Sequence, residues 1–230
     1  KKETGDILIA TEPDSARVGV ALYHNEEIKI LNGNQLATLI VYYSLINLKL
    51  NKMNKTPYVA KTIVTTRLID LIARDFGVKS YSTLTGFKHI AELIKNKKND
   101  KFIAGGEESY GYLACDFTRD KDGNGAVVLF AETAAYAKSI GKNLIELLDD
   151  IYEEFGYFIE VNKSKVLEGA DGAKLIQKLV KSYSELQPTK CDSSNVTKVV
   201  NFAKENIIDL SLIHISEPTR RYAISYAVFC

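Results

Sequence analysis

Short apolar runs alternate with amphipathic segments between residues 57 and 104, and this alternation constrains the fold more than any other feature of the sequence. The alternation predicts three strands, with two helices between them. The predicted strands span residues 58–64, 79–83 and 101–104, and the predicted helices span residues 67–76 and 87–97. Strands and helices that alternate through short loops predict an α/β fold, with mixed sheets flanked by helices.

The prediction extends to both sides of this alternation. Before it, apolar runs predict strands at residues 6–10, 18–22 and 27–31, and the apolar sequence of residues 34–52 predicts a long, largely buried helix. Residues 51–57 are polar and end in proline, so they are the best candidate for a linker. The elements predicted after the alternation are helices at 125–140 and 143–155, a strand at 158–166, and helices at 172–183 and 196–206.

A polar loop flanked by glycines follows the last of the three strands. The sequence Gly-Gly-Glu-Glu-Ser-Tyr-Gly-Tyr at residues 105–112 contains Glu107, Glu108 and Ser109, and Lys121 follows closely. In α/β proteins, a strand that ends in such a loop commonly presents side chains to a ligand. Carboxylates accept hydrogen bonds from sugar hydroxyls, and lysine supplies positive charge for phosphate. The loop therefore indicates a sugar-phosphate site, and the alternative is a solvated acidic turn.

Composition and charge exclude several classes of function. A formal net charge of +1 argues against the clustered basic surface of a nucleic-acid-binding protein, and the basic residues 95–101 are interpreted as the solvated end of a helix. No apolar stretch has the length of a membrane span. Cys115, Cys191 and Cys230 lack metal-type spacing. We therefore expect a cytoplasmic protein in a reducing compartment, with neither nucleic acid nor a membrane as partner.

Four segments resemble the α-D-phosphohexomutases, the superfamily of phosphoglucomutases and phosphomannomutases, and they occur in the family's order. Residues 10–20 resemble the metal-binding loop, and residues 31–35 resemble the segment that opens the next helix. Residues 85–90 resemble a second ligand-facing loop, and residues 105–112 resemble the sugar-recognition loop. The resemblance runs from the start of the chain to about Val161.

The resemblance implies an enzyme that moves a phosphoryl group between the 1- and 6-positions of a small-molecule sugar phosphate. Its implied cofactors are Mg²⁺ and a hexose 1,6-bisphosphate, which is both intermediate and activator. Glu107 and Ser109 are implied to bind a pair of sugar hydroxyls that exchange places when the sugar turns round. The further substrate-binding residues that the resemblance implies are Lys121, Thr85, Gly86 and Lys88.

Residues next to these implied ligands have other expected roles. Glu108 has two open orientations: toward the sugar, or away from it and paired with a surface lysine. His89 is expected at the surface of a helix N-terminus. Tyr110 and Tyr112 are expected to line the pocket without reacting.

The segment that resembles the metal-binding loop departs from the family pattern. Where the family has three aspartates, this sequence has Glu12, Asp14 and Ala16, with Arg17 adjacent. Mg²⁺ prefers hard oxygen ligands in octahedral geometry, so the loss of one carboxylate should weaken its binding. Three explanations stay open: an error in the sequence, a paralogue with altered metal use, or a degenerate non-catalytic copy.

The resemblance also predicts the domain organisation. Residues 1–56 are expected to be part of a second domain with the metal-loop remnant, residues 57–165 a third domain, and residues 166–209 a connection toward a fourth. Residues 210–230 resemble a translated sequencing adapter and are excluded from fold prediction.

No Ser-His pair of the family's phosphoserine type is present in the sequence. The chain is therefore expected to be an internal fragment without a catalytic residue or mutase activity of its own. The Glu-Glu-Ser-Tyr-Gly form of the loop favours glucose as the sugar of the parent enzyme. The alternatives are a phosphomannomutase, a phosphopentomutase, or a non-catalytic paralogue that binds sugar phosphate.

Overall fold

The computed structural model describes residues 5–48, 53–160 and 166–186, together with short strand segments at 189–191, 194–195, 198–200 and 227–229. The chain forms two compact units, Lys1–Glu160 and Val161–Cys230. None of the helices in these described segments is long and apolar enough to cross a membrane.

The first unit begins with a three-stranded antiparallel sheet. Its strands are β1 (Leu8–Thr11), β2 (Val18–His24) and β3 (Glu27–Ile30), and β2 lies in the middle. Alternate residues of β2 (Val18, Val20 and Leu22) are buried in the main core, as expected when side chains of a strand point to opposite faces. The three strands predicted from the apolar runs are confirmed.

Helix α1 (Gly33–Ile46) follows this sheet and is buried along most of its length. It begins with a capping box, in which the Asn32 side chain accepts from the Gln35 N–H while the Gln35 side chain accepts from the Asn32 N–H. The prediction that this helix continues to residue 52 is wrong in its described part. The helix ends at Ile46 because Asn47 caps it: the Asn47 side-chain amide donates to the Tyr43 carbonyl at 2.9 Å.

A four-stranded sheet forms the centre of the unit. Its order is β5 (Lys79–Thr83), β4 (Pro57–Thr62), β6 (Lys101–Gly106) and β7 (Tyr112–Leu113), in which β4 is parallel to β5 and β6, and β7 is antiparallel to β6. Helices α2 (Leu68–Asp75) and α3 (Phe87–Asn96) are the crossovers. The alternation of strands and helices predicted for residues 57–104 is confirmed.

Residues of β4 and β6 pack into two hydrophobic cores, one on each face of the sheet. On one face, Val59 and Ala104 pack with α1, α2, α4 (Gly123–Ser139) and α5 (Leu144–Phe155). On the other face, Tyr58 and Phe102 pack with the apolar side of α3. The sheet therefore lies between two helical layers, as the α/β prediction requires.

The predicted linker at residues 51–57 does not divide the described structure. One core holds residues of α1 together with residues of β4, β6 and α2, so the first unit is continuous across the predicted boundary at residue 56. The buried apolar surface of α1, which the sequence shows, needs this sheet to cover it. The predicted strand at 158–166 is also wrong at its described residues 158–160 and 166, and residues 161–165 lie outside the described segments.

The second unit contains α6 (Gly169–Glu185), which confirms the helix predicted at 172–183. Two short antiparallel pairs follow, β8 (Lys190–Cys191) with β9 (Ser194–Asn195), and β10 (Lys198–Val200) with β11 (Ala227–Phe229). The helix predicted at 196–206 is wrong at residues 198–200, where a β-branched Val-Val pair lies in a strand. Its residues 196–197 and 201–206 lie outside the described segments.

Candidate functional site

A tight loop of residues 107–111, called here the Glu107 loop, connects β6 to β7. The Glu107 N–H donates to the Gly111 carbonyl at 2.9 Å, which closes the loop. Tyr110 adopts a left-handed backbone conformation with φ of +72°. Because β7 turns back against β6, the loop stands at the end of the sheet where β4 and β6 also end. This is the edge at which α/β sheets bind ligands.

Glu107 is the buried carboxylate of this loop, with 7% of its surface exposed. Its Oε1 accepts a hydrogen bond from the Gly86 N–H at 2.9 Å. Burial raises the pKa of the Glu107 carboxyl, and the like charge of Glu108 raises it further, whereas the Gly86 N–H and the charges of Lys121 and Arg17 lower it. Glu107 therefore brings together two of the segments that the resemblance selected.

The residues around Gly86 belong to the turn that leads from β5 into α3. Thr85 and Gly86 are partly buried, and Lys88 is exposed on the first turn of α3. His89 is on the same helix, where its Nδ1 lies 4.0 Å from the Glu92 carboxylate. The backbone N–H of Gly86, in this turn, makes the hydrogen bond to the Glu107 loop.

Lys121 reaches the same region from the segment before α4. Its ammonium group lies 5.6 Å from the centre of the Phe87 ring and 3.7 Å from the Asp120 carboxylate. The following residue, Asp122, caps α4 by accepting from the Gly125 N–H at 2.9 Å and donates its own N–H to the Tyr112 carbonyl. The cap therefore fixes the backbone next to Lys121 against β7.

A second loop, residues 12–17 and called here the Glu12 loop, contacts both of these segments through its backbone. The Val18 N–H donates to the Tyr110 carbonyl at 3.1 Å, and the Gly123 N–H donates to the Ser15 carbonyl at 2.9 Å. Gly123 allows this approach because a Cβ there would lie 2.2 Å from the Ser15 oxygen. The structure thus brings the segments around residues 15, 86, 107 and 121 together at one edge of the fold.

The side chains of the Glu12 loop do not fit a Mg²⁺ site. The Glu12 carboxylate pairs with Arg17 at 3.4 Å, Asp14 accepts the Ala16 N–H at 3.1 Å, and Ala16 supplies no side-chain oxygen. In the part of the chain that the structure describes, no three or more His, Cys, Asp or Glu side chains are grouped as a metal ion would require. Both carboxylates are engaged by other groups of the loop, and the anionic ligand set is one smaller than the resemblance implies.

Residues 32–155 match the family model described as phosphoglucomutase/phosphomannomutase, alpha/beta/alpha domain III. This match covers more than half of the chain. The chain belongs to the phosphoglucomutase/phosphomannomutase family. The domain III match begins at residue 32 and therefore includes α1.

Curated relatives are similar over most of the chain. It is 30% identical to a phosphoglucomutase of Staphylococcus saprophyticus, over 95% of this chain and 40% of that protein. It is 32% identical to a phosphoglucomutase of Staphylococcus epidermidis, over 93% of this chain and 39% of that protein. The chain therefore spans about two-fifths of the length of these relatives. Their similarity extends past Val161, where the resemblance was expected to fade.

Solved structures show the same fold. A protein of the phosphomannomutase type from Thermus thermophilus aligns with a TM-score of 0.53 and 28% identity, over 67% of this chain and 32% of that chain. Parafusin, a phosphoglucomutase from Paramecium, aligns with a TM-score of 0.55 and 20% identity, over 82% of this chain and 33% of that chain. The second of these likenesses supports the fold alone.

Two expectations around the Glu107 loop of this family member are wrong. Glu108 does not pair with a surface lysine among the described residues, because its Oε2 lies 3.1 Å from the Thr62 hydroxyl and 3.2 Å from the Thr65 hydroxyl. Tyr112 is a core residue and does not line a pocket, since its hydroxyl donates to the Gly33 carbonyl at 3.0 Å and its ring packs against Phe130. Successive side chains of a strand point to opposite faces, so a tyrosine that is close to a site residue in the sequence can point away from the site.

Sequence reasoning missed the polar cluster at the end of β4. Lys61 is buried there and pairs with Asp70, and Thr62 and Thr65 bind Glu108. Threonines that follow a central parallel strand were the signal that could have identified them, because such strands end at the ligand-binding edge of the sheet.

Proposed function

We propose that this chain is the sugar-recognition part of a phosphohexose mutase, which interconverts hexose 1-phosphate and hexose 6-phosphate. The observation that carries the proposal is the buried Glu107 carboxylate, which is fixed by the Gly86 N–H and lies within reach of the charges of Lys121 and Arg17. Membership of the phosphoglucomutase/phosphomannomutase family supports this reaction.

The geometry suits a ligand with neighbouring hydroxyl groups. The Gly86 N–H donates to Oε1 of Glu107, which leaves Oε2 to accept hydrogen bonds from sugar hydroxyls. Ser109 is two residues further along the same loop and is partly buried. A carboxylate and a hydroxyl that bind two adjacent sugar hydroxyls serve both orientations of a sugar that turns round between two phosphoryl transfers. Lys121 supplies positive charge beside them.

Burial of Glu107 prepares the site for an uncharged, hydroxyl-rich group. Sugar hydroxyls that donate to the carboxylate favour its ionised form and oppose the effect of burial on its pKa. Much of the water around the carboxylate has already been removed by folding, so binding the sugar displaces little further water from Glu107. In this proposal Glu107 orients the sugar and transfers no proton.

Mg²⁺ would supply charge neutralisation for the transferring phosphoryl group. The Glu12 loop does not fit this ion as it stands, so the role that we propose for the chain is confined to sugar recognition. Glucose is the proposed sugar, since the Staphylococcus relatives are named phosphoglucomutases. Phosphomannomutase and phosphopentomutase activities are the alternatives to test with the corresponding sugar phosphates.

The test uses the complete protein that contains this chain, in a coupled assay that converts glucose 1-phosphate to glucose 6-phosphate. Replacing Glu107 by Gln should lower kcat/KM by about 30- to 150-fold, the loss expected when a hydrogen bond to a charged group is weakened by about 2–3 kcal/mol. Glu153→Gln, at an exposed position of α5, is the matched control and should leave kcat/KM unchanged. Equal activity of Glu107→Gln and the unmodified enzyme would remove Glu107 from the site.

A second candidate function is a sugar-phosphate-binding protein without mutase activity. The observation that favours it is the Glu12 loop, where Ala16 stands in place of a carboxylate and Arg17 forms an ion pair with Glu12. The same assay separates the two candidates. A complete protein that binds glucose 1-phosphate in calorimetry, but shows no turnover above the blank with Mg²⁺ and the bisphosphate, is the binding protein.

A further inference from the structure

Glu108 has more anchoring contacts than the residue beside it that we propose to bind sugar. Its carboxylate oxygen Oε2 lies within hydrogen-bond distance of the hydroxyls of Thr62 and Thr65, at 3.1 and 3.2 Å. Its backbone N–H donates to the Thr65 hydroxyl at 3.2 Å. Its carbonyl lies against Gly33, where a Cβ would stand 1.7 Å from the oxygen. The side chain, amide and carbonyl of Glu108 thus all contact residues outside the loop.

The two threonines that contact Glu108 are themselves restrained by neighbouring residues. The hydroxyls of Thr62 and Thr65 lie 2.7 Å apart, and both threonines are buried. The buried Lys61 donates to the Thr65 carbonyl at 3.4 Å and pairs with Asp70 at 3.2 Å. The threonine pair therefore rests on the central strand β4 and, through the ion pair, on α2.

These contacts restrain the peptide unit that joins Glu107 to Glu108. On one side the Glu107 N–H is bound to the Gly111 carbonyl, and on the other the Glu108 N–H is bound to Thr65. With both amides held, the backbone fixes the direction of the Glu107 Cα–Cβ bond. The side chain that extends from this bond meets the Gly86 N–H at 2.9 Å.

We propose that Glu108 is a positioning residue, which holds the Glu107 carboxylate against the Gly86 N–H by bridging the Glu107 loop to Thr62 and Thr65. The role of Glu107 in binding sugar rests on the proposed function, but its placement does not. An ionised carboxylate suits this bridge because it is an acceptor only: one threonine hydroxyl donates to it while the other donates to its neighbour. A charge-assisted hydrogen bond of this kind is stronger than a neutral one. The second glutamate of the loop thus acts through the first.

The test reads the Glu107–Gly86 contact directly, by NMR on the 230-residue chain. In the unmodified protein the Gly86 amide proton resonance should shift with pH as Glu107 titrates, and Glu107→Gln should abolish that shift, which assigns it. Replacing Thr62 and Thr65 together by Val, which removes both hydroxyl donors, should also abolish the shift. Replacing both by Ser keeps the donors and is the matched control, in which the shift should persist.

A merely structural role for the bridge gives a different result. In that case the Val variant lowers Tm, but the Gly86 resonance of its folded form still titrates with Glu107, and this outcome would overturn the proposal. Should the Val variant fail to fold, Glu108→Gln decides, because it keeps the shape of the side chain and removes its charge. Loss of the Gly86 shift in a folded Glu108→Gln protein supports positioning, and an intact shift of unchanged amplitude contradicts it. None of these readings depends on mutase turnover, so failure of the proposed function would be recognised separately.

Discussion

Removing the charge of Asp70 should destabilise the first unit more than removing the charge of Lys61, although the two side chains form one ion pair. Their Nζ and Oδ2 atoms are 3.2 Å apart, but the Lys61 side chain is 2% exposed and the Asp70 side chain is 35% exposed. Asp70 also accepts from the Ser80 hydroxyl at 2.6 Å. Loss of Asp70 leaves a buried charge, whereas loss of Lys61 leaves a carboxylate that water and Ser80 still stabilise.

The expected magnitude follows from this difference in burial. Burial lowers the pKa of Lys61 and Asp70 opposes that effect, so Asp70→Asn should lower the pKa further. At pH 7 the cost is limited to about 5 kcal/mol, the free energy of deprotonating a lysine of pKa 10.5. Because breaking a buried ion pair costs about 3–5 kcal/mol, we expect a loss in that range. For Lys61→Met we expect about 1 kcal/mol, and the double variant should resemble Lys61→Met.

The assay is hydrogen exchange of peptides from β4 and α2 across a urea titration, which reports the first unit separately from the second. The folded pKa of Lys61 lies below its unfolded value, so the unfolded chain binds the proton more tightly and stability rises with pH between the two values. The loss caused by Asp70→Asn should therefore shrink as pH approaches 10.5. Asp6→Asn is the control, since the Asp6–Lys138 pair is exposed and should contribute little. A cost for Lys61→Met equal to that of Asp70→Asn would refute the reasoning.

Two further predictions concern the site. Ala16→Asp should raise Mg²⁺ affinity in calorimetric titration of the 230-residue chain, because it restores an anionic oxygen ligand, whereas the neutral Ala16→Asn should not; equal affinities of the two variants would contradict our account of the loop. Glu107→Gln should stabilise the protein near pH 7, and the gain over the unmodified chain should vanish as the pH falls below about 4.5, because a raised folded pKa gives stability that is present at low pH and lost as the pH rises. A gain that persists unchanged in acid urea titrations would argue against a buried, ionised Glu107.

The parts of the fold that could be predicted are those in which local pattern and burial agree. The strand at residues 79–83 and the helix that ends at Phe155 were predicted from the sequence, and the structure has them at the same places. The end of α1 was missed because the apolar pattern continues past Ile46, while the polar cap at Asn47 stops the helix. A polar segment with a proline predicts a loop, but a loop need not separate two cores, and one core here holds residues from both sides of residues 51–57.

Within the candidate site, the position after a strand singled out the loop and the resemblance singled out Glu107, but neither could assign Glu108. Both residues have the same side chain, and their environments differ only because the chain folds: Glu107 meets a backbone N–H from the turn before α3, and Glu108 meets two hydroxyls from the end of β4. The Thr62–Glu108 contact joins residues 46 positions apart. No local pattern reports such a contact, so the different environments of the two carboxylates are visible only in three dimensions.

The Glu12 loop contacts the rest of the candidate site without the side chains that the resemblance implies as metal ligands. Its contacts with the rest of the site are made by backbone groups, from the Val18 N–H to Tyr110 and from the Gly123 N–H to the Ser15 carbonyl. Substitution at Ala16 leaves both hydrogen bonds in place, because no side chain takes part in them. The ligand set for a cation can therefore vary while the loop stays docked beside Glu107. On the proposed function, we therefore expect loss of metal affinity and loss of sugar recognition to be separable, which is the condition under which a mutase becomes a sugar-phosphate-binding protein.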